Sequence, residues 1–154
     1  MKKSYIVRPI GVVKSTRSKI SDDHWNREKT RIVVNAEIPA DTLTGIEQYS
    51  HLEIIYLLDR VKPDEICWGA RHPRGNPKYA KYGIFAQRAR VRPNRIGSTI
   101  VKLTGRTGRT LQIKGLDAID GTPVLDIKPV FREFLPKGKT RQPAWVAELM
   151  TEYW

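Results

Sequence analysis

Residues 98–116 read STIVKLTGRTGRTLQIKGL, and the fold turns on how they are taken. Two runs, 98–105 and 109–116, alternate apolar and polar side chains on either side of Arg106-Thr107-Gly108. A period of two describes a strand with one buried face, and a short Gly-containing connection between two such runs describes a β-hairpin. Gly108 is the residue suited to the positive φ that a tight hairpin turn needs. The unit is therefore antiparallel. Working outward, five more runs have strand character: 5–15, with Pro9 marking an edge or a bulge; 30–38; 51–58; 82–91; and 122–130. HLEIIYLL (51–58) is a continuous apolar run suited to a buried central strand. Residues 41–49 suit one or two helical turns, weakened by Gly45, and 62–81 is a long loop rich in Gly, Pro and Arg. QPAWVAELMTEYW closes the chain as a helix, with Pro143 in its first turn and Val146, Leu149, Met150 and Tyr153 at helical spacing. About seven short strands and few helices predict a mainly-β fold, an antiparallel β-barrel with a C-terminal helix.

The chain has 154 residues, of which 40% are hydrophobic, enough for one domain with a real core. No run approaches the roughly 18 apolar residues of a membrane span. The opening residues, MKKSYIVRPIG, do not have the apolar stretch of a signal peptide. A single cysteine, Cys67, excludes a disulfide framework within the chain and points to the cytoplasm. Cys67, His24, His51 and His72 do not form a metal-ligand set, so no metal is expected. The βαβ rhythm and Gly-rich turn of a dinucleotide-binding fold are absent.

Net charge is +12, and it is unevenly spread. Ile66 to Leu116 contains twelve Lys or Arg and no Asp or Glu. A one-signed block repels itself unless it faces an anion, so nucleic acid is the leading partner and an anionic small molecule the other. GIFAQRARVRPNRIGST (83–99) concentrates this charge. As a strand it directs Arg88, Arg90 and Arg92 to one face, and Phe85, Gln87, Ala89 and Val91 to the other, where they can join the core. The arginines then need a ligand or acids such as Asp117, Asp120 or Asp126. Trp68, beside the basic loop, is the best placed of the four tryptophans to stack on a base.

Residues 83–103 followed by 115–129, GLDAIDGTPVLDIKP, resemble the TsaA-like family, whose characterised bacterial members are called TrmO. The matching residues are Gly83, Ile84, Phe85, Ala86, Gln87, Arg88, Ala89, Arg92, Pro93 and Asn94, then 116–129; IGVVKS and 45–58 are also similar. The resemblance spans roughly residues 5 to 130. It implies a small β-barrel methyltransferase, usually dimeric, that uses S-adenosyl-L-methionine and methylates N6 of threonylcarbamoyladenosine at tRNA position 37. A base beside the anticodon can be splayed out for such chemistry.

The same resemblance places the cofactor against Asp59, Arg60, Arg88, Ser98, Asp117, Ala118, Ile119 and Asp120. Arg88 is suited to a bidentate grip on the methionine carboxylate. Arg90, Arg92, Asn94 and Arg95 are left for the substrate, and no catalytic residue is assigned. The domain is expected to span 1–154, with 131–154 as a C-terminal extension ending in a helix. Three features depart from the TrmO pattern. SKISDDHWNREK stands where a Gln-Pro-Gly-type segment is usual, so either Asp22, His24 and Trp25 replace it or the loop serves a different substrate. Arg95 stands in place of proline, and the sequence stops after one helix, where TrmO proteins of the enteric type carry a further C-terminal domain. A TsaA-like methyltransferase acting on a small molecule and a non-catalytic RNA-binding β-barrel are the alternatives.

Overall fold

The structure is a computed structural model that describes residues 3–154. Met1 and Lys2, within the expected domain span, lie outside the described residues. Its strands are β1 (Gly11–Ser15), β2 (Thr30–Val34), β3 (His51–Leu57), β4 (Ala70–Arg71), β5 (Tyr82–Gly83), β6 (Ile96–Thr107), β7 (Thr110–Lys114) and β8 (Pro123–Pro129). Among the described residues a single α-helix, α1 (Ala144–Leu149), follows. Six strands close into an antiparallel barrel in the order β1-β2-β7-β6-β3-β8, and β4 and β5 form a separate ribbon.

Alternation sets the barrel wall. Val13, Ile32, Val34, Leu52, Ile54, Val101, Leu111, Ile113 and Val124 turn inward and fill the interior, with Leu43 and Leu116 closing on it. The hairpin forms where the sequence puts it: Thr107 pairs with Thr110, and Gly108 takes a φ of 57°. The central run becomes β3, paired to β6 from His51 to Leu57 and to β8 from Leu52 to Tyr56. The ladder between β1 and β8 is short, with Gly11↔Val124 and Val12↔Pro123 in register, and backbone bonds from Ile10 to Val124, Val13 to Thr122 and Gly121 to Val13 extend it.

Two expectations are corrected. Residues 82–91 are not a strand of the barrel: only Tyr82 and Gly83 pair, with β4, and Ile84–Ala86 make a 3-10 turn. The barrel therefore has six strands, not about seven. Inward residues persist there without a ladder, but Phe85, expected to join the core, is 78% exposed. Ile84 and Val91 instead pack with Val61 in a second small cluster. The first run also shortens to Gly11–Ser15, because Pro9 supplies no ladder donor.

Among the described residues, no helix is long and apolar enough to cross a membrane. The expected helical turns at 41–49 are two 3-10 turns, Ala40–Leu43 and Ile46–Gln48.

Candidate functional site

One cleft of about 910 Å³ opens at the barrel where β3, β6 and the loop after β7 meet the arginine segment and the C-terminal residues. Glu53 and Tyr56 come from β3, Gly97, Ser98 and Thr99 from β6, and Asp117, Ala118 and Ile119 from the loop beyond β7. Asp59 and Arg60 follow β3, joined by an ion pair of 3.6 Å. Arg88, Arg90, Arg92 and Asn94 line the same cleft.

The structure thus brings together all the expected site residues except two. Asp120 does not line the cleft; its Oδ1 accepts from the Ser15 amide at 3.0 Å, and its own amide bonds the Arg17 carbonyl. Arg95 is also absent from the lining, and its Nη1 donates to the Val61 carbonyl at 2.9 Å. Both ties are structural.

The arginine face is not neutralised by the acids that could have paired with it. Asp126 pairs with Lys128, Asp120 is tied to β1, and Asp117 accepts from hydroxyl groups. Arg88 and Arg92 make no ion pair among the described residues, and Arg90 has only a 4.0 Å contact with Asp22. Arg88 donates to the Ser98 carbonyl and Arg92 to the Gln87 carbonyl at 3.1 Å. A guanidinium has five N–H donors, so each keeps several for a ligand.

The turn that carries Asn94 is unusual. Asn94 and Arg95 both have left-handed backbone, at φ 64° and 55°. Asn tolerates that region, whereas Arg adopts it at a cost of about 1–2 kcal/mol. Proline, which locks φ near −65°, does not fit position 95 of this turn. The Arg95–Val61 bond helps to hold it.

Asp117 is the centre of the cleft's hydrogen bonding. Its Oδ1 accepts from Tyr56 Oη at 2.8 Å and from Thr99 Oγ1, and its Oδ2 accepts from Tyr153 Oη. Burial, then the Asp117 charge, pushes the Tyr56 phenol well above its usual range, and the same causes raise Tyr153. Arg88 opposes both shifts, so its charge is felt at both phenols. Both tyrosines are donors at neutral pH. Gly97 is required by this arrangement: a Cβ there would lie 2.3 Å from Tyr56 Cε2.

Nearby, Ser98 Oγ donates to Glu53 Oε1 at 2.6 Å. The indole N–H groups of Trp25 and Trp145, on two further lining residues, are buried with no hydrogen-bond partner among the described residues. Such orphans are uncommon and mark a place where an acceptor is missing. Tyr56, Thr99, Glu53, Trp145 and Tyr153 were not among the residues assigned from the sequence. A tyrosine inside an apolar strand was the available signal, since a buried phenol needs a partner. Trp25 lines the cleft from the segment expected to replace the Gln-Pro-Gly-type loop, as does Asp22; His24 does not.

Comparison with known proteins follows the same lines. The family model described as the tRNA-methyltransferase O N-terminal domain matches residues 18–134. A "Probable S-adenosyl-L-methionine-binding protein" of Archaeoglobus fulgidus is 39% identical over 127 residues, covering 80% of this chain and 33% of that protein. A protein of the same description from Methanothermobacter thermautotrophicus is 36% identical over 131 residues, covering 82% of this chain and 90% of its own length. The human "tRNA (adenine(37)-N6)-methyltransferase" is 40% identical over 96 residues, covering 62% of this chain and 21% of that protein. Several of these relatives are therefore much longer than the part this chain matches. The crystal structure of TrmO from Pseudomonas aeruginosa superposes with a TM-score of 0.73 at 28% identity, covering 90% of this chain and 61% of that one.

Proposed function

The chain belongs to the tRNA-methyltransferase O N-terminal-domain family, and from that premise we propose that it is an S-adenosyl-L-methionine-dependent methyltransferase. Its proposed substrate is tRNA, with N6 of threonylcarbamoyladenosine at position 37 as the acceptor. The observation that carries this reading is the shared cleft. Residues expected at the cofactor and residues expected at the substrate line one space, on a chain whose relatives include proteins named for both ligands.

The cleft suits the cofactor in size and charge. Small-molecule sites run to about 300–1,000 Å³. S-adenosyl-L-methionine carries a carboxylate, an ammonium and a sulfonium, and this cleft offers guanidinium groups together with Glu53, Asp59 and Asp117. When bound it supplies a methyl group on a sulfonium, which a nucleophile displaces in line as a neutral thioether leaves. The protein's part is to hold and orient. Arg88 is assigned to the methionine carboxylate, with donors to spare beyond its bond to Ser98. Ala118 and Ile119 are assigned to the adenine through backbone groups. Asp59 and Asp117 are assigned to the ribose or to offset the sulfonium. Arg90, Arg92 and Asn94 face the phosphates and the base of the tRNA. Asp120 and Arg95 are assigned supporting roles, in the loop after β7 and in the 93–95 turn.

A homodimer in the cytoplasm is part of this proposal. Phe85, Ile96 and Ile100 stand exposed on the cleft lining and form an apolar rim that a second copy can cover. Sedimentation of the purified chain tests that assembly directly.

Calorimetric titration with S-adenosyl-L-methionine tests the enzyme reading. We expect one saturable site per chain, weakened about ten-fold or more in Arg88→Ala, as befits loss of a charged hydrogen bond. Transfer of labelled methyl to tRNA, and not to tRNA lacking the position 37 modification, is the second expected result. A folded protein that binds tRNA but never the cofactor would return the chain to the RNA-binding barrel. Cofactor binding without tRNA affinity would favour a small-molecule substrate.

A further inference from the structure

The residues after the family-matched region, 18–134, return to the cleft. Trp145, Leu149, Met150, Tyr153 and Trp154 all line it. Backbone bonds hold them there: the His24 amide donates to the Glu152 carbonyl at 2.8 Å, and the Trp25 amide to the Tyr153 carbonyl at 2.9 Å. Side chains add to the hold. Trp145 stacks on Tyr82 at 4.8 Å between ring centroids, Lys78 pairs with Glu148, and the Arg74 guanidinium lies 5.9 Å from the Tyr153 ring. No residue of this segment belongs to the barrel's interior cluster. The barrel core is complete without it, so its placement needs another explanation.

We propose that the C-terminal segment, residues 143–154, is a working wall of the ligand cleft and that Tyr153 is a positioning residue acting through Asp117. This rests on the cofactor reading above. A carboxylate has about four lone-pair sites. Tyr56 and Thr99 occupy two on Oδ1, and Tyr153 takes one on Oδ2. The one that remains is fixed in direction, because three donors from three different elements allow the carboxyl group no rotation. Tyr153 thereby decides where Asp117 presents its last acceptor to a ligand donor, such as a ribose hydroxyl. The segment is a wall and not a plug, because the cleft keeps about 910 Å³ with these residues in place.

The test is a double-mutant cycle on affinity for S-adenosyl-L-methionine, using the full chain as wild type, Tyr153→Phe, Asp117→Asn and the double variant. Thermal melts establish that each is folded, and Tyr153→Ala serves as a second, cavity-forming variant. We expect Tyr153→Phe to weaken binding about ten-fold, and to weaken it little further once Asp117 is Asn. Such non-additivity marks residues acting through one another. A phenol that only anchors the segment would give the same fold-loss in both backgrounds, and that result overturns the proposal. So does wild-type affinity in both Tyr153 variants, or tighter binding in Tyr153→Ala, which would make the segment a plug. Failure of the wild-type chain to bind the cofactor is a different outcome, and it would overturn the function reading together with this one.

Discussion

Along β3, Leu52, Ile54 and Tyr56 turn inward, and every residue from His51 to Leu57 has a partner on β6. Along 82–95, Ile84, Gln87 and Val91 turn inward at spacings of three and four, and only Tyr82 and Gly83 join a ladder. The difference lies in what satisfies the backbone. β3 uses its neighbours' amides and carbonyls. The arginine segment combines scattered backbone bonds, such as the Ile84 amide to the Gly69 carbonyl and the Cys67 amide to the Val91 carbonyl, with side-chain ties: Gln87 Nε2 donates to the carbonyls of Arg71 at 2.9 Å and Tyr82 at 2.7 Å, and Arg92 and Arg95 bond the carbonyls of Gln87 and Val61. A ladder fixes every residue alike. Scattered ties fix a few points and leave the arginine side chains between them with donors to offer a ligand.

The comparison can be broken first at the ladder. Ile54 is fully buried in the barrel, and Ile54→Ala is expected to cost about 3 kcal/mol through lost burial and the cavity left behind, read as a lower urea midpoint. Gly97→Ala comes next. The new methyl would overlap the Tyr56 ring, and about 2 kcal/mol is expected from the resulting displacement, with a loss of cofactor affinity as the Asp117 network shifts. The pH dependence tests the same place. The folded state holds the Tyr56 phenol protonated above its ordinary value of 10.0, so its contribution is intact below that pH. As pH rises past it, the unfolded chain loses the proton first and stability falls. Alkaline denaturation curves for Tyr56→Phe should be flatter than those of wild type above about pH 10.

The side-chain ties should break locally. Gln87→Leu removes both donors and leaves two carbonyls short, for about 1 kcal/mol. Hydrogen exchange should then quicken at residues 84–92 while the barrel amides keep their protection; equal quickening in both would mean the segment is part of the barrel's cooperative unit. The smallest effect on stability belongs to Arg90→Ala, within about 0.5 kcal/mol for an exposed side chain with one long ion pair. Its effect should appear in tRNA binding, where the slope of log affinity against log salt is expected to drop by about 1.

These contrasts explain which parts of the molecule the sequence made legible. The hairpin at Gly108 and the six barrel strands follow from alternation and glycine placement, because a closed sheet must bury every second residue. Residues 82–91 carried the same alternation and misled, since the 3-10 turn at Ile84–Ala86 breaks the period of two, burying Ile84 and exposing Phe85. Gln87 was the overlooked clue, a long amide at an inward position. At the site, the family resemblance named Asp59, Arg88, Ser98 and Asp117, which line one cleft in the structure. It could not locate Tyr153 or Trp145, which reach the cleft only because the chain folds back across the barrel. Their apolar spacing read as an ordinary helix face. In the structure only Ala144–Leu149 are helical, and Tyr153 lies beyond them, paired with the segment around Trp25.

The two-residue seam between β1 and β8 has a consequence for how the protein fails. A closed barrel offers no template to another chain, but closure here depends on the junction with the shortest register, where Pro123 contributes no amide and bonds at Ile10, Val13 and Gly121 complete the joint. Parting at that junction would unroll the barrel into an open sheet while β3 and β6 stay paired, leaving β1 and β8 as its two bare margins with unspent donors and acceptors. Partly opened molecules would then find each other through those margins. Aggregation on gentle heating should begin before the core melts, and the first peptides to lose protection should be those around Gly11 and Val124.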